Sequence, residues 1–227
     1  MKRFYFWLIA TMFCGATVVQ AQPEAGTFSI TPKLGFLSAS VTNMPDLPIT
    51  ETDGIKRALF PGFLIGAECE YQVTDMFSVS AGLNYTRQGS KWQNYSRPDL
   101  GYELKDLQTA LGYVNLPIMA KVYIFKGLAI NAGVQLGYLT NASTQYKIVY
   151  KKGLITKDDD ENENILDECN RLDVTIPLGI SYDLSDQIVI GASYHLGLIR
   201  LNKEKDPDGD LRNRGLLLSI GYRYSID

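Results

Sequence analysis

Beyond its N-terminal segment the chain has no run of about 18 apolar residues, so it offers no helix that could cross a bilayer. Histidine occurs once, at His195, which leaves no cluster of His and Cys able to ligate zinc. Phosphate loops and dinucleotide fingerprints are missing as well. No basic excess marks a nucleic-acid surface: 22 Lys+Arg stand against 25 Asp+Glu, a net charge of -3. Tryptophan is scarce (2), whereas tyrosine is plentiful (14). Tyrosine suits strands, and surfaces that are half apolar and half wet.

The N-terminus reads as a targeting segment. Lys2 and Arg3 precede the apolar "FYFWLIATMF", which is too short to span a membrane. "VVQA" then supplies small residues at Val19 and Ala21. Residues 1–21 are expected to be a signal peptide cleaved after Ala21, and residues 22–227 the mature domain. Phe13 directly precedes Cys14, where a lipidation motif wants a small residue.

The mature chain is organised by period two. In "YVNLPIMAKVYIFKGLAINAGVQLGYLTN" (113–141), Val114, Leu116, Ile118, Ala120, Val122 and Ile124 recur at every second place. Past Phe125-Lys126-Gly127 the rhythm resumes with Leu128, Ile130, Ala132, Val134, Leu136 and Tyr138. Such alternation is the mark of two strands and a tight turn. Six further segments alternate likewise, at 27–39, 62–73, 77–86, 172–184, 188–198 and 216–226. Their connections alternate in length. Thr74-Asp75-Met76, Phe125-Lys126-Gly127 and Ser185-Asp186-Gln187 are short, whereas 41–61, 90–111, 142–170 and 200–213 are long and polar. Eight strands with short and long connections in turn predict an antiparallel up-and-down transmembrane β-barrel, short turns in the periplasm and long loops outside. Pro117 and Pro177 should introduce bulges, and Pro61 should mark a strand end.

Alternation alone does not say which face is buried. A soluble barrel keeps its apolar face inside and wets its exterior with charge. Between the apolar residues of 128–139 stand Ala129, Asn131, Gly133, Gln135, Gly137 and Leu139, with no charge among them. Such small neutral residues suit a crowded lumen, and the bulky aliphatic face then meets lipid. Tyr71, Phe77, Tyr182, Tyr222 and Tyr224 near the short turns, and Tyr85, Tyr113, Tyr138 and Tyr194 toward the long loops, are expected to form two interfacial girdles.

Five charges fall on the inward face: Lys33, Glu68, Glu70, Lys121 and Arg223. Buried charges need partners, so these are expected to pair and fill the lumen. A gated ion path is the sharper alternative. His195 and Ser193 share a strand, and Asp173 faces inward on the next. A lone histidine without a placed nucleophile is weak ground for catalysis, so neither an enzyme nor a cofactor is expected. The acidic stretches "KDDDENENILDE" (157–168) and "DPDGD" (206–210) read as solvated loop tips. A calcium loop starting at Asp206 would need Glu where Leu217 stands. Cys69 and Cys169 lie at opposite ends of the barrel, beyond the roughly 7 Å a disulfide allows, so both are expected free.

The blocks "SAGLNYTRQGSK" (80–91), "YVNLPIMAKVYIFKGLAINAGVQLGYLTNA" (113–142), "LDVTIPLGISYDL" (172–184), "SYHLGLIRL" (193–201) and "RGLLLSIGYRY" (214–224) resemble the PorT-like outer-membrane β-barrel proteins of Bacteroidota. The resemblance implies an eight-stranded barrel in the outer membrane of a Gram-negative bacterium. Some members, PorT itself among them, assist secretion of adhesins and proteases through the type IX system. The partners so implied are the lipid bilayer and, through the extracellular loops, other envelope or secretion proteins. A monomer without nucleic acid is expected. A small channel is the runner-up. The chain ends "YRYSID", with Tyr224 its last aromatic, where the usual barrel ending is itself aromatic.

Overall fold

The computed structural model describes residues 23–42, 47–50, 53–97, 102–152, 155–203 and 210–226. The expected signal peptide and Cys14 lie outside the described residues, as does most of "DPDGD". Eight antiparallel strands form the wall: β1 (Phe28–Val41), β2 (Phe60–Thr74), β3 (Phe77–Trp92), β4 (Tyr102–Phe125), β5 (Leu128–Lys152), β6 (Leu172–Asp183), β7 (Ile188–Gly197) and β8 (Asn213–Tyr222). Each pairs with the next, and β8 returns to β1 through pairs such as Phe36↔Leu218 and Leu37↔Leu217. The ring is closed, so every strand has two neighbours, as a sheet in hydrocarbon requires.

The two faces of each strand separate as the alternation predicts. Along β4, Val114, Leu116, Ile118, Val122 and Ile124 are exposed, Ile118 at 54%, while Asn115, Lys121 and Tyr123 are buried. Leu34 and Phe36 on β1, Ile65 on β2, Ile180 on β6 and Leu218 and Ile220 on β8 continue the same outer belt. An apolar belt this continuous is stable in lipid and would drive aggregation in water.

Short turns are fixed locally. The Thr74 hydroxyl accepts hydrogen bonds from the Met76 and Phe77 amides (3.3 and 3.1 Å). Ser185 does the same for Gln187 and Ile188 (3.3 and 3.0 Å). Bonds of this kind, from a backbone amide to a hydroxyl oxygen, are how Ser and Thr stabilise turns. In the third turn Gly127 takes φ +72°, a left-handed conformation that glycine adopts without steric cost.

Pro117 and Pro177 act differently from expectation. Neither Pro117 nor Pro177 makes a bulge. The β3–β4 ladder skips from Ala81↔Ile118 to Asn84↔Asn115, and the β5–β6 ladder from Thr175↔Gln135 to Leu178↔Ala132, both in unchanged register. Proline removes a donor without inserting a residue, so the wall loses bonds locally and keeps its pleat. Glycine stands at the same level on the neighbouring strand in both cases, Gly82 and Gly133. Pro61 is the second residue of β2, whose pairing with β3 starts at Phe63. Pro32 lies level with Tyr222, and the eighth segment breaks there: Arg223 leaves the ladder and Tyr224–Ile226 pairs separately with β1.

The long connections at 90–111 and 142–170 are in large part strand. β4 begins at Tyr102, β5 runs on to Lys152, Ile155–Asn164 folds back along β5, and Tyr95–Arg97 flanks β4. A small sheet thus stands on the barrel's outer rim. Residues of both parities are polar in "ITKDDDENEN", so the period-two signal of a half-buried strand is absent there. Tyr113 is a further correction: it is 1% exposed and points inward, so it belongs to the lumen and not to the outer girdle.

Candidate functional site

The lumen is built in layers. Nearest the periplasm, Arg223 donates to both oxygens of Asp183 (2.9 and 3.0 Å). The Tyr123 hydroxyl lies 3.5 Å from both Asp183 and Glu70, linking this pair to the next. Lys121 reaches Glu70 at 2.5 Å and Glu68 at 2.8 Å. Lys33 closes the chain on the other side of Glu68, and Ser78 donates to Glu70 at 2.6 Å. All five inward charges expected from the sequence therefore belong to one connected network. Asp183 is the member missing from that expectation. With it, three cations (Lys33, Lys121, Arg223) meet three carboxylates (Glu68, Glu70, Asp183). Neutrality matters because an unpaired charge at this depth costs several kcal/mol, on the order of its desolvation penalty.

A polar layer follows in which, among the described residues, hydrogen bonds take the place of ion pairs. Asn115 donates to Asn84 (3.1 Å) and Thr86 (2.9 Å), and Ser181 to Asn131 (3.3 Å). The Ser193 hydroxyl and His195 Nε2 lie 3.0 Å apart. Asp173 does not join them. It accepts from Asn213 at 3.0 Å, and Asn213 also donates to Tyr113 at 2.9 Å. His195 pairs with Pro177, four residues along β6 from Asp173. The Ser, His and Asp that could form a catalytic set are thus not assembled. Among the described residues no group of three His, Cys, Asp or Glu converges on a point that could hold a metal.

The outer end of the lumen is apolar. Leu37, Ala39, Phe60, Leu64, Ala110 and Leu217 form one buried cluster. Val41, Leu111, Tyr113, Leu139, Ala142, Cys169 and Leu201 form another, with Ile165, Leu166 and Leu211 against it. Sequence reasoning missed this layer because inward Leu64, Leu139 and Leu217 follow the outward apolar residues without contrast. Cys169 is buried in it and Cys69 is exposed on the lipid side, both as free thiols. Burial and the neighbouring Glu168 push the Cys169 thiol up, so it stays protonated at neutral pH. What remains of the bore is a hollow of about 90 Å³, touched by Lys33, Lys121, Gln135 and His195. That is room for a few water molecules.

Comparison with known proteins places this architecture. Residues 20–202 match the family model described as the outer membrane protein beta-barrel domain. Solved structures are similar in fold at low identity. Ail, the attachment invasion locus protein of Yersinia pestis, is 14% identical over 88% of this chain and 100% of its own, with a TM-score of 0.44. Neisserial surface protein A is 14% identical over 87% and 97%, also at 0.44. OprG of Pseudomonas aeruginosa is 12% identical over 91% and 99%, at 0.40. No curated protein matches the chain. With the family model covering most of its length, on a closed eight-stranded ring with an apolar exterior, the chain belongs to the outer membrane protein β-barrel domain family and is an integral protein of the outer membrane.

Proposed function

We propose that this protein is a closed, monomeric barrel with a structural or interaction role in the outer membrane, and that it assists protein secretion as the PorT-like barrels do. The observation that carries the closed barrel is the double seal of its lumen: a neutral six-charge network below and packed aliphatic side chains above. With the bore filled, the surface left for partners is the extracellular sheet of β4, β5 and Ile155–Asn164. The secretion role rests on the resemblance of the "NLP…AKVY" and "PLGISYDL" blocks.

Two measurements test this reading. In a planar bilayer the purified barrel is expected to give no steady current at either polarity. A stable, ion-selective conductance would replace the plug with the runner-up, a small channel. In the source bacterium, deletion of the chain is expected to leave secreted adhesins or proteases trapped in the periplasm. Normal surface display in the deletion strain would remove the secretion role and leave the structural one standing.

A further inference from the structure

The outer wall carries a hollow of about 550 Å³ where the lipid belt gives way to the extracellular sheet. It arises from register. Phe63 pairs with Arg87, Arg87 with Gly112, and Gly112 with Asn141, so one row crosses β2, β3, β4 and β5. The row above continues from Ala110 to Ser143 and Asn164, and the next from Gln108 to Gln145 and Asn162. The small residues Gly112 and Ser143 in mid-row leave the space, and Ala110, Leu111 and Ala142, members of the buried clusters, line it as well. A Cβ at Gly112 would lie 2.5 Å from the Tyr85 hydroxyl, so the tyrosine side chain would have to shift to admit one.

The lining is amphipathic from bottom to top. Phe63, 45% exposed, and Tyr85 form its floor, their rings 6.1 Å apart and continuous with the lipid-facing band. Asn141 and Asn162 supply amide donors and acceptors above, and Gln145 and Asn164, whose oxygens accept from Gln108 (3.3 Å) and the Leu166 amide (2.9 Å), add their NH2 donors. Arg87 stands between the two zones, exposed, with its guanidinium 5.9 Å from the Phe60 ring. Among the described residues Arg87 has no carboxylate partner, unlike Lys91, Lys105, Arg171 and Arg212 on the same rim.

We propose that this hollow binds the headgroup of a phosphorylated glycolipid of the outer leaflet. The position fixes the source, since the floor lies in the acyl region and the amides at headgroup height. Arg87 pairs with a phosphate, as guanidinium does bidentately. The amides bond sugar hydroxyls, and the Tyr85–Phe63 edge meets the first acyl segments. The site goes beyond the closed-barrel reading and depends only on the barrel standing in the membrane.

Native mass spectrometry of the purified barrel, released from detergent with titrated lipid, tests it. Bisphosphorylated lipid A is expected to bind, and lipid A stripped of phosphate to bind about tenfold more weakly, the scale of one charge-assisted contact. Phosphatidylglycerol, which has phosphate without the sugar, should also be about tenfold weaker. Arg87→Ala should reproduce the loss. Asn162→Ala, which lies outside the barrel wall, should weaken lipid A about threefold, a smaller effect suited to a neutral hydrogen bond. Arg214→Ala, an exposed cation on β8 away from the hollow, should change nothing. The proposal is overturned if Arg214→Ala weakens binding as much as Arg87→Ala, if phosphatidylglycerol matches lipid A, or if both hollow variants bind as the parent does.

Discussion

Lys121→Ala is expected to destabilise the barrel by about 3–5 kcal/mol, the cost of leaving buried carboxylates without their cation. Among the described residues Lys121 is the only cation paired with both Glu68 and Glu70. Among the described residues its removal leaves Glu68 paired with Lys33, and Glu70 with the hydroxyls of Ser78 and Tyr123. Lys33 is partly exposed, so its share of the attraction is screened. Urea titration of the barrel folded into lipid vesicles measures the loss, with the heat-modifiable gel shift reporting the folded fraction. The comparison that gives this meaning is the triple variant Lys121→Met, Glu68→Gln, Glu70→Gln. Lys121 and both of its carboxylates become neutral groups of similar volume there, Lys33 keeps access to water, and Arg223 keeps Asp183, so no deeply buried charge of the cluster is left without a partner. The triple variant should therefore recover most of the single variant's loss. If the single substitution costs no more than an exposed lysine would, the network does not hold the lumen together.

The second large effect lies on the opposite face. Ile118→Arg should cost about 2–4 kcal/mol, the penalty for a cation at the bilayer midplane of a barrel wall. Ile118 is midway along the lipid-facing run of β4, and on that face its neighbours are apolar. Ile226→Arg, at the periplasmic margin beside Phe28, should cost about 0–1 kcal/mol, since an arginine there extends to the interface. The same vesicle titration reads both. Equal costs at the two positions would mean that Ile118 does not stand at mid-depth, and the register of the wall in the membrane would have to be redrawn.

Much of this fold was legible because a barrel in lipid imposes one rule on every strand. Val114 to Ile124 and Leu128 to Tyr138 had to alternate, and the neutral residues between them told inside from outside. The inward charges were legible for the same reason. Asp183 stood on the inward parity, but no local signal paired it with Arg223, whose strand is two removed around the ring. The apolar upper layer was illegible because Leu64 and Leu217 face inward within runs that are apolar on both sides. The strand extensions were hidden by the opposite cause, polarity on both sides. The wall hollow could not be seen at all: Phe63, Arg87, Gly112, Asn141 and Asn164 meet only through four successive registers, which no spacing in the sequence records.

The seam between β1 and β8 differs in kind from every other pairing in the ring. Seven of the eight strand pairs join neighbours in the chain, and their short turns or local excursions make each contact entropically cheap. The eighth brings Leu37 to Leu217 and Lys33 to Gly221, across nearly the whole described length. Until it forms, the wall is an open sheet with two raw edges, and hydrocarbon tolerates neither. The aliphatic contacts that Leu37 and Leu217 make inside the bore become available only at that moment. Closure and the packing of this aliphatic layer are therefore one event, and a half-built wall lacks both.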